Sequence, residues 1–308
     1  MRARSLPVLV LLLLSALAAP TTTKAAATTT APWGLDRIDQ RHLPLNGSYR
    51  AKTDGHGVDV YVIDTGIRLA ASDLRGRVRS GVDEVDGGTA EDCNGHGTHV
   101  AGIIGGSTYG VARRARLIAV RVLDCSGGGP VGRVLKGIDW VVRDHLTGQP
   151  AVANLSLGGA PSSAIDVAVR ALVKDGIVVT TAAGNGDSSG QGVDACGTSP
   201  ARTGIVITVS ATDRSDTRPV WANYGRCVDL FAPGVDITSD WLGGGSKTIS
   251  GTSMASPVVA GAAARYLSAH RTATPVAVRS YLTRAATAHQ VADARNASGR
   301  LLYLPSAS

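Results

Sequence analysis

Short apolar, β-branched runs alternate along this chain with segments of helical periodicity, and that alternation restricts its fold more than any other feature. Val58–Ile63, Leu117–Val122, Val152–Ser156, Ile177–Thr181 and Ile205–Ser210 are predicted as strands. Val131–Asp144 and Ser163–Asp175 have the spacing of amphipathic helices, and Ser253–His270 and Pro275–Ala286 read as longer ones. Strands that are apolar at consecutive positions must be covered on both faces, which is the signature of a parallel sheet wrapped by helices. The fold class expected is therefore α/β, with a mostly parallel central sheet and helices on both sides. From Trp33 to the C-terminus there is no internal repeat, no long linker and no second compositional regime, so one domain is expected over 33–308. At 44% hydrophobic and 18% charged residues, the chain has the material for a core.

The N-terminus has a different character. Arg2 and Arg4 precede an apolar stretch, Leu6 to Leu17, and Ala16-Leu17-Ala18 forms a small-residue cleavage site. Residues 1–18 read as a secretory signal, too short in its apolar part to span a bilayer comfortably. A secreted, extracellular product with no stable membrane association is expected. Residues 19–32, rich in Thr and Ala, read as a flexible lead-in. The net charge of +7 comes from scattered arginines, and aromatics make up only 4% of the chain. That pattern is a solvated basic surface and excludes a base-stacking nucleic-acid platform.

Three segments carry chemistry. Val60-Tyr-Val-Ile-Asp64-Thr-Gly66 is an apolar strand ending in an aspartate, at the strand end where open α/β sheets gather their functional groups. Asn94-Gly-His96-Gly-Thr-His99 opens a helix with His96 facing the loops, while His99, one turn later, reads as a packed histidine. Gly251-Thr-Ser253-Met-Ala-Ser-Pro257 opens a second, Ala/Val-rich helix. Taken singly, Asp64 is a turn or cap residue and Ser253 an N-cap. Together they supply an acid, a base and a hydroxyl nucleophile, and a serine needs both of the others to attack at neutral pH. The chain order Asp…His…Ser is that of subtilisin and differs from α/β-hydrolases and chymotrypsin. Ala255 stands where an esterase-type G-x-S-x-G elbow has its second glycine.

The stretches DTG, HGTHVAG, SLGG, AAGN and GTSMASP, in this order, resemble the subtilisin-like serine proteases, from Trp33 almost to the C-terminus. APWGLDRIDQRHLPL, DCNGHGTHVAG, VRVLDCSG and CVDLFAPG are most similar to the proteinase K branch, especially its aqualysin-type members. The resemblance implies a subtilisin-like three-layer fold and a secreted endopeptidase of broad specificity with an apolar or aromatic P1 preference. It implies Ser253 as nucleophile, His96 as general base and then acid, and Asp64 as the group orienting the imidazole. Asn185, by itself a turn residue between glycines, matches the oxyanion-hole asparagine. Gly127, Gly128 and Gly129, with Ser156, Leu157 and Gly158, match the two edges that hold an extended peptide by strand addition.

Four cysteines suit an exported protein and allow three pairings. The resemblance implies Cys93–Cys125 and Cys196–Cys227, each closing a loop worth about 3–4 kcal/mol in the chain-entropy model. Zinc is disfavoured because no cysteine pair has C-x₂₋₄-C spacing. Structural calcium is the metal the resemblance implies, with no organic cofactor. One expected site is Asp229 with the carbonyls of Gly204 and Val206. A second is Asp36, Asp39 and Gln40, with Asn46 nearby.

Three departures stand out. Val258 follows GTSMASP where most relatives carry histidine, and a packing effect is expected. Pro130 replaces a small polar residue beside the glycine edge. Only a short stretch separates the signal from Trp33, where secreted relatives carry a long pro-segment. Unaided folding, a folding helper or inhibitor acting in trans, or an incomplete gene start are the readings this leaves. A monomer acting on protein and peptide substrates is the expected working form. The competing readings are a non-catalytic binding protein on the same scaffold and an esterase or transpeptidase using the same triad.

Overall fold

In the computed structural model, which describes residues 30–305, seven parallel strands form the central sheet. They are β1 (Asp59–Asp64), β2 (Val78–Asp83), β3 (Arg116–Arg121), β4 (Ala151–Leu155), β5 (Val178–Ala182), β6 (Ile207–Thr212) and β7 (Leu230–Pro233), in spatial order β2-β3-β1-β4-β5-β6-β7. The helices are α1 (Trp33–Ile38), α2 (His96–Gly105), α3 (Val131–Asp144), α4 (Ser163–Lys174), α5 (Thr252–Ala269) and α6 (Pro275–Ala285). An antiparallel hairpin, β8 (Ile237–Asp240) with β9 (Ser246–Ile249), lies apart from the sheet. The signal segment 1–18 and most of the lead-in fall outside the described residues.

The period-two alternation of β1 shows why the strands are apolar throughout. Val60 and Val62 enter the core formed with α2 and α5, while Tyr61 and Ile63 enter a second core formed with α3 and α4. Both faces are dry, so every position must be apolar. The chain runs from β1 through β2 to β3 on one side and then crosses to β4 on the other. That reversal leaves a crevice at the carboxyl ends of β1 and β4, where ligand sites of open α/β sheets form. Asp64 ends β1 and Ser156 follows β4 directly.

The five expected strands are present with ends shifted by up to two residues, and α3 has the expected bounds. Strands β2, β7, β8 and β9 and helix α1 carry no comparable sequence signal. β2 is an edge strand with mixed burial, and the others are four to six residues long.

The hairpin docks on α2 through polar contacts. His99, fully buried, shares its Nε2–H between the carbonyls of Ile237 (3.1 Å) and Lys247 (3.0 Å), and Ser239 Oγ donates to the His99 carbonyl. This is the packed histidine the sequence suggested, and burial lowers its pKa to about 4. At the far end of α2, the Asp240 carboxyl is buried against the carboxyl of Asp73, and no N–H group reaches its Oδ2. Burial pushes the Asp240 carboxyl up to about 7, and the charge and hydrogen bond of Asp73 push the same way, against Arg77. The unfolded chain releases this proton at far lower pH, so stability should fall as pH rises toward 7. Asp240→Asn should flatten that fall. Urea midpoints measured near pH 5 and near pH 8 would differ less in the variant than in the parent, and an unchanged difference would refute the assignment.

Candidate active site

Asp64 is brought to His96 by close approach of the β1 end to the first turn of α2. His96 Nδ1–H donates to Asp64 Oδ1 at 2.7 Å, with the aspartate side chain fully buried and the imidazole a quarter exposed. Thr65 N–H donates to the same oxygen at 2.7 Å. Two glycines permit this geometry. Gly66 adopts φ 104°, where a Cβ would lie 2.7 Å from the Ala90 carbonyl oxygen, and a Cβ on Gly97 would strike the Gly66 carbonyl oxygen.

Asp92, which the motif reading passed over, holds the start of α2. Its Oδ1 accepts from Thr65 Oγ1 and from the N–H groups of Asn94 and Gly95, all at 2.9 Å. Its Oδ2 accepts from Thr98 N–H and hydroxyl. Asp92 lies three residues ahead of the N-cap Gly95, outside the capping position, so only the fold reveals its role. Burial works against a charged His96, but the charge and hydrogen bond of Asp64 outweigh it, and the imidazole pKa lies above its usual value.

Ser253 lies in the first turn of α5, and its Oγ donates to the Ser156 carbonyl at 3.1 Å. The carbonyl of Ser253 is satisfied in an unusual way. Its helical partner would be the N–H of residue 257, which is Pro257 and has none. Ser156 Oγ, after β4, donates to that carbonyl instead at 2.8 Å. Ser156 in turn accepts from Asn154 Nδ2, and Asn154 Oδ1 accepts from Thr180 Oγ1 and Ser256 Oγ. The buried Asn154 therefore clamps β4, β5 and α5 into one frame.

Asn185 accepts Thr252 N–H and hydroxyl on its Oδ1, both at 2.9 Å, so its Nδ2–H₂ is the group it offers as donor. Asn223 supports this loop by accepting from Gly186 N–H and donating to the Ala183 carbonyl. One cleft of about 1120 Å³ is lined by His96, Ser253 and Asn185 together with Gly127, Gly128, Gly129, Ser156, Leu157 and Gly158. Disulfides join Cys93 to Cys125 and Cys196 to Cys227, with Cα separations of 5.0 and 5.3 Å. The first ties the loop before His96 to the glycine edge, helped by Asn94 Nδ2 donating to the Cys125 carbonyl.

A sequence model of the subtilase family matches residues 55–300. The chain belongs to the subtilase family. It is 52% identical over 279 residues to the extracellular serine proteinase of Thermus sp. (strain Rt41A), covering 89% of this chain and 66% of that protein. It is 50% identical over 274 residues to alkaline serine exoprotease A of Vibrio alginolyticus, covering 89% and 50%. The chain thus spans about two thirds and one half of the length of these curated relatives. The crystal structure of a cold adapted subtilisin-like serine proteinase matches with a TM-score of 0.86 and 50% identity, over 89% of this chain and 98% of that one.

The two expected metal sites of this subtilase differ sharply. Near the N-terminus, Asp36 accepts from Asn46 and Gly47 N–H, and Asp39 Oδ2 accepts from Arg50 N–H. Gln40 Nε2 donates to the carbonyls of His42 and Pro44. Asp39 Oδ1 and Gln40 Oε1 are buried with no protein partner, and burial raises the Asp39 pKa. Orphaned oxygens of this kind suit a hard cation. In the expected set of Asp229, Gly204 and Val206, the carboxylate already has donors from the protein. Asp229 is ion-paired with Arg279 of α6, and its second oxygen accepts Thr208 N–H at 3.0 Å. Among the described residues, no cluster of three or more His, Cys, Asp or Glu side chains is placed to hold a metal.

The Pro257–Ser156 arrangement is testable. Ser156→Ala should cost about 1–3 kcal/mol, because it strands the Ser253 carbonyl and the Asn154 amide. Adding Pro257→Ala, which restores the missing N–H, should recover part of that loss in urea unfolding. Strictly additive losses would count against the compensation.

Proposed function

We propose that this chain is a secreted serine endopeptidase that hydrolyses peptide bonds through an acyl-enzyme on Ser253. The observation that carries this reading is the buried Asp64–His96 hydrogen bond opening onto the cleft that holds Ser253 and Asn185. In the resting arrangement Ser253 Oγ is bonded to the Ser156 carbonyl, and the proposed reaction requires it to leave that bond for His96. His96 Nε2 takes the Oγ proton as the oxygen attacks the substrate carbonyl carbon. The carbonyl oxygen becomes negative and is held by Asn185 Nδ2–H and by Ser253 N–H, which lies in the first helical turn and has no intrahelical partner. Collapse breaks the C–N bond, and the amine leaves with the proton from His96. A water then attacks the ester with His96 as base, releasing the acid and restoring the Oγ–H. Asp64 stabilises the imidazolium throughout and fixes its tautomer.

The segments Gly127–Gly129 and Ser156–Gly158 are proposed to pair with the substrate main chain, which gives broad sequence tolerance. Ala182, Ala183 and Gly158 in the cleft wall leave room for a large apolar or aromatic P1 side chain. Asp36, Asp39 and Gln40 are proposed to hold calcium, which when bound cross-links the segment after α1. Extracellular action as a monomer on protein and peptide substrates completes the reading. The extracellular relative named above supports the compartment.

Casein hydrolysis by the secreted chain beside its Ser253→Ala variant tests the proposal. Activity should vanish in the variant, and a chelator should shorten thermal half-life. An inactive parent that is nonetheless compact and protease-resistant would instead support a binding protein on this scaffold. Hydrolysis confined to esters would support an esterase, and transfer exceeding hydrolysis on amide substrates a transpeptidase. The raised His96 pKa also places the acid limb of kcat/KM above about pH 6.5, because the base must be neutral. Asp64→Asn should move that limb to lower pH while cutting kcat by about four orders of magnitude, as the handicap of a wrong tautomer in such triads predicts. An unmoved limb would show that another group sets the profile.

A further inference from the structure

Asp229 immediately precedes β7, the last strand of the sheet, and lies two residues after the Cys196–Cys227 bridge. Its side chain is only 14% exposed. A carboxylate in that setting needs a counter-charge, since burial without one raises its pKa and costs stability. Burial does push the Asp229 carboxyl up, while Arg279 pulls it back. The question is which cation this carboxylate takes.

The geometry identifies a cation from the chain itself. Helix α6 is pinned to the core by Val278 and Leu282, both fully buried. Arg279, the next residue, reaches from the helix so that Nη2 donates to Asp229 Oδ1. Oδ2 is taken by Thr208 N–H, so both carboxylate oxygens face N–H donors. A divalent ion on the same oxygens would have to displace a guanidinium held by its helix, and until it did so two positive centres would stand side by side. The second half of the clasp comes from the C-terminal segment. Ser298 Oγ donates to the Asp229 carbonyl, and Arg300 Nη1 donates to the Thr283 carbonyl on α6. The N-terminal set is the contrast within the same molecule. There Asp39 Oδ1 and Gln40 Oε1 are buried with no donor from the protein at all.

We propose that Arg279 is the resident cation of the Asp229 site: its guanidinium stands in place of the calcium that the resemblance assigns there, and it ties α6 to the sheet edge independently of metal. Calcium dependence of this protein then resides elsewhere, and the clasp around β7 and α6 persists under chelation.

The test uses the full chain carrying Ser253→Ala, so that self-digestion does not interfere. Equilibrium dialysis with radioactive calcium counts ions bound per chain. Asp229→Asn should bind the same number as its parent, and a loss of one ion would overturn the proposal. In chelator, Arg279→Met should lower Tm by about 4 °C or more. The same substitution in the Asp229→Asn chain should lower it far less, because the buried charge it leaves unpaired is gone. Equal drops in both backgrounds, or no drop in either, would show that the two side chains are uncoupled and that Arg279 does not occupy the site.

Discussion

Asn154 uses one side-chain amide on three elements at once. Its nitrogen holds Ser156 beyond β4, and its oxygen holds Thr180 on β5 and Ser256 on α5. Buried side-chain amides are costly unless satisfied, so this one tolerates little change in the relative positions of those elements. The first turn of α5 is thereby fixed against the carboxyl edge of the sheet, and Ser253 with it. The Pro257 gap in the helix ladder belongs to the same frame. It frees the Ser253 carbonyl for Ser156, so a residue of the proposed peptide-binding edge and the first turn of α5 are joined directly.

A second polar frame governs the other half of the site. Asp92 gathers five hydrogen bonds from Thr65, Asn94, Gly95 and Thr98, which couples the β1 end to the first turn of α2. Asp64 and His96 inherit their 2.7 Å separation from that coupling. The hairpin β8–β9 then braces α2 through His99 and Ser239. The two hubs, Asn154 inside β4 and Asp92 in the loop ahead of α2, are both buried, which is how a rigid scaffold fixes side chains at element ends.

The cation sites separate what resemblance transmits from what a particular chain does. Two acidic sets that look equivalent as motifs are physically unlike. One keeps oxygens without donors, and the other has a guanidinium on it. The guanidinium comes from residue 279, fifty positions away from Asp229. Nothing within CVDLFAPG reports that contact.

Much was legible in the chain alone. Continuous apolar runs such as Val60–Ile63 can be stable only between two covered faces, so the parallel α/β architecture follows from local composition. Asp64, His96 and Ser253 stood out because each lies where a strand or glycine turn meets a helix, and the glycines that permit their approach are themselves visible. The short elements were not legible: β2 is a half-exposed edge strand, and the hairpin owes its place to His99 and Ser239. Asn154, Asn223 and Asp92 as hubs, the Ser156 answer to Pro257, and the Arg279 pairing were decided by tertiary structure. The reason is common to all of them. Hydrophobic periodicity and turn chemistry act over a few neighbouring residues, whereas the partner of a buried polar group is chosen by whatever the fold brings within 3 Å of it.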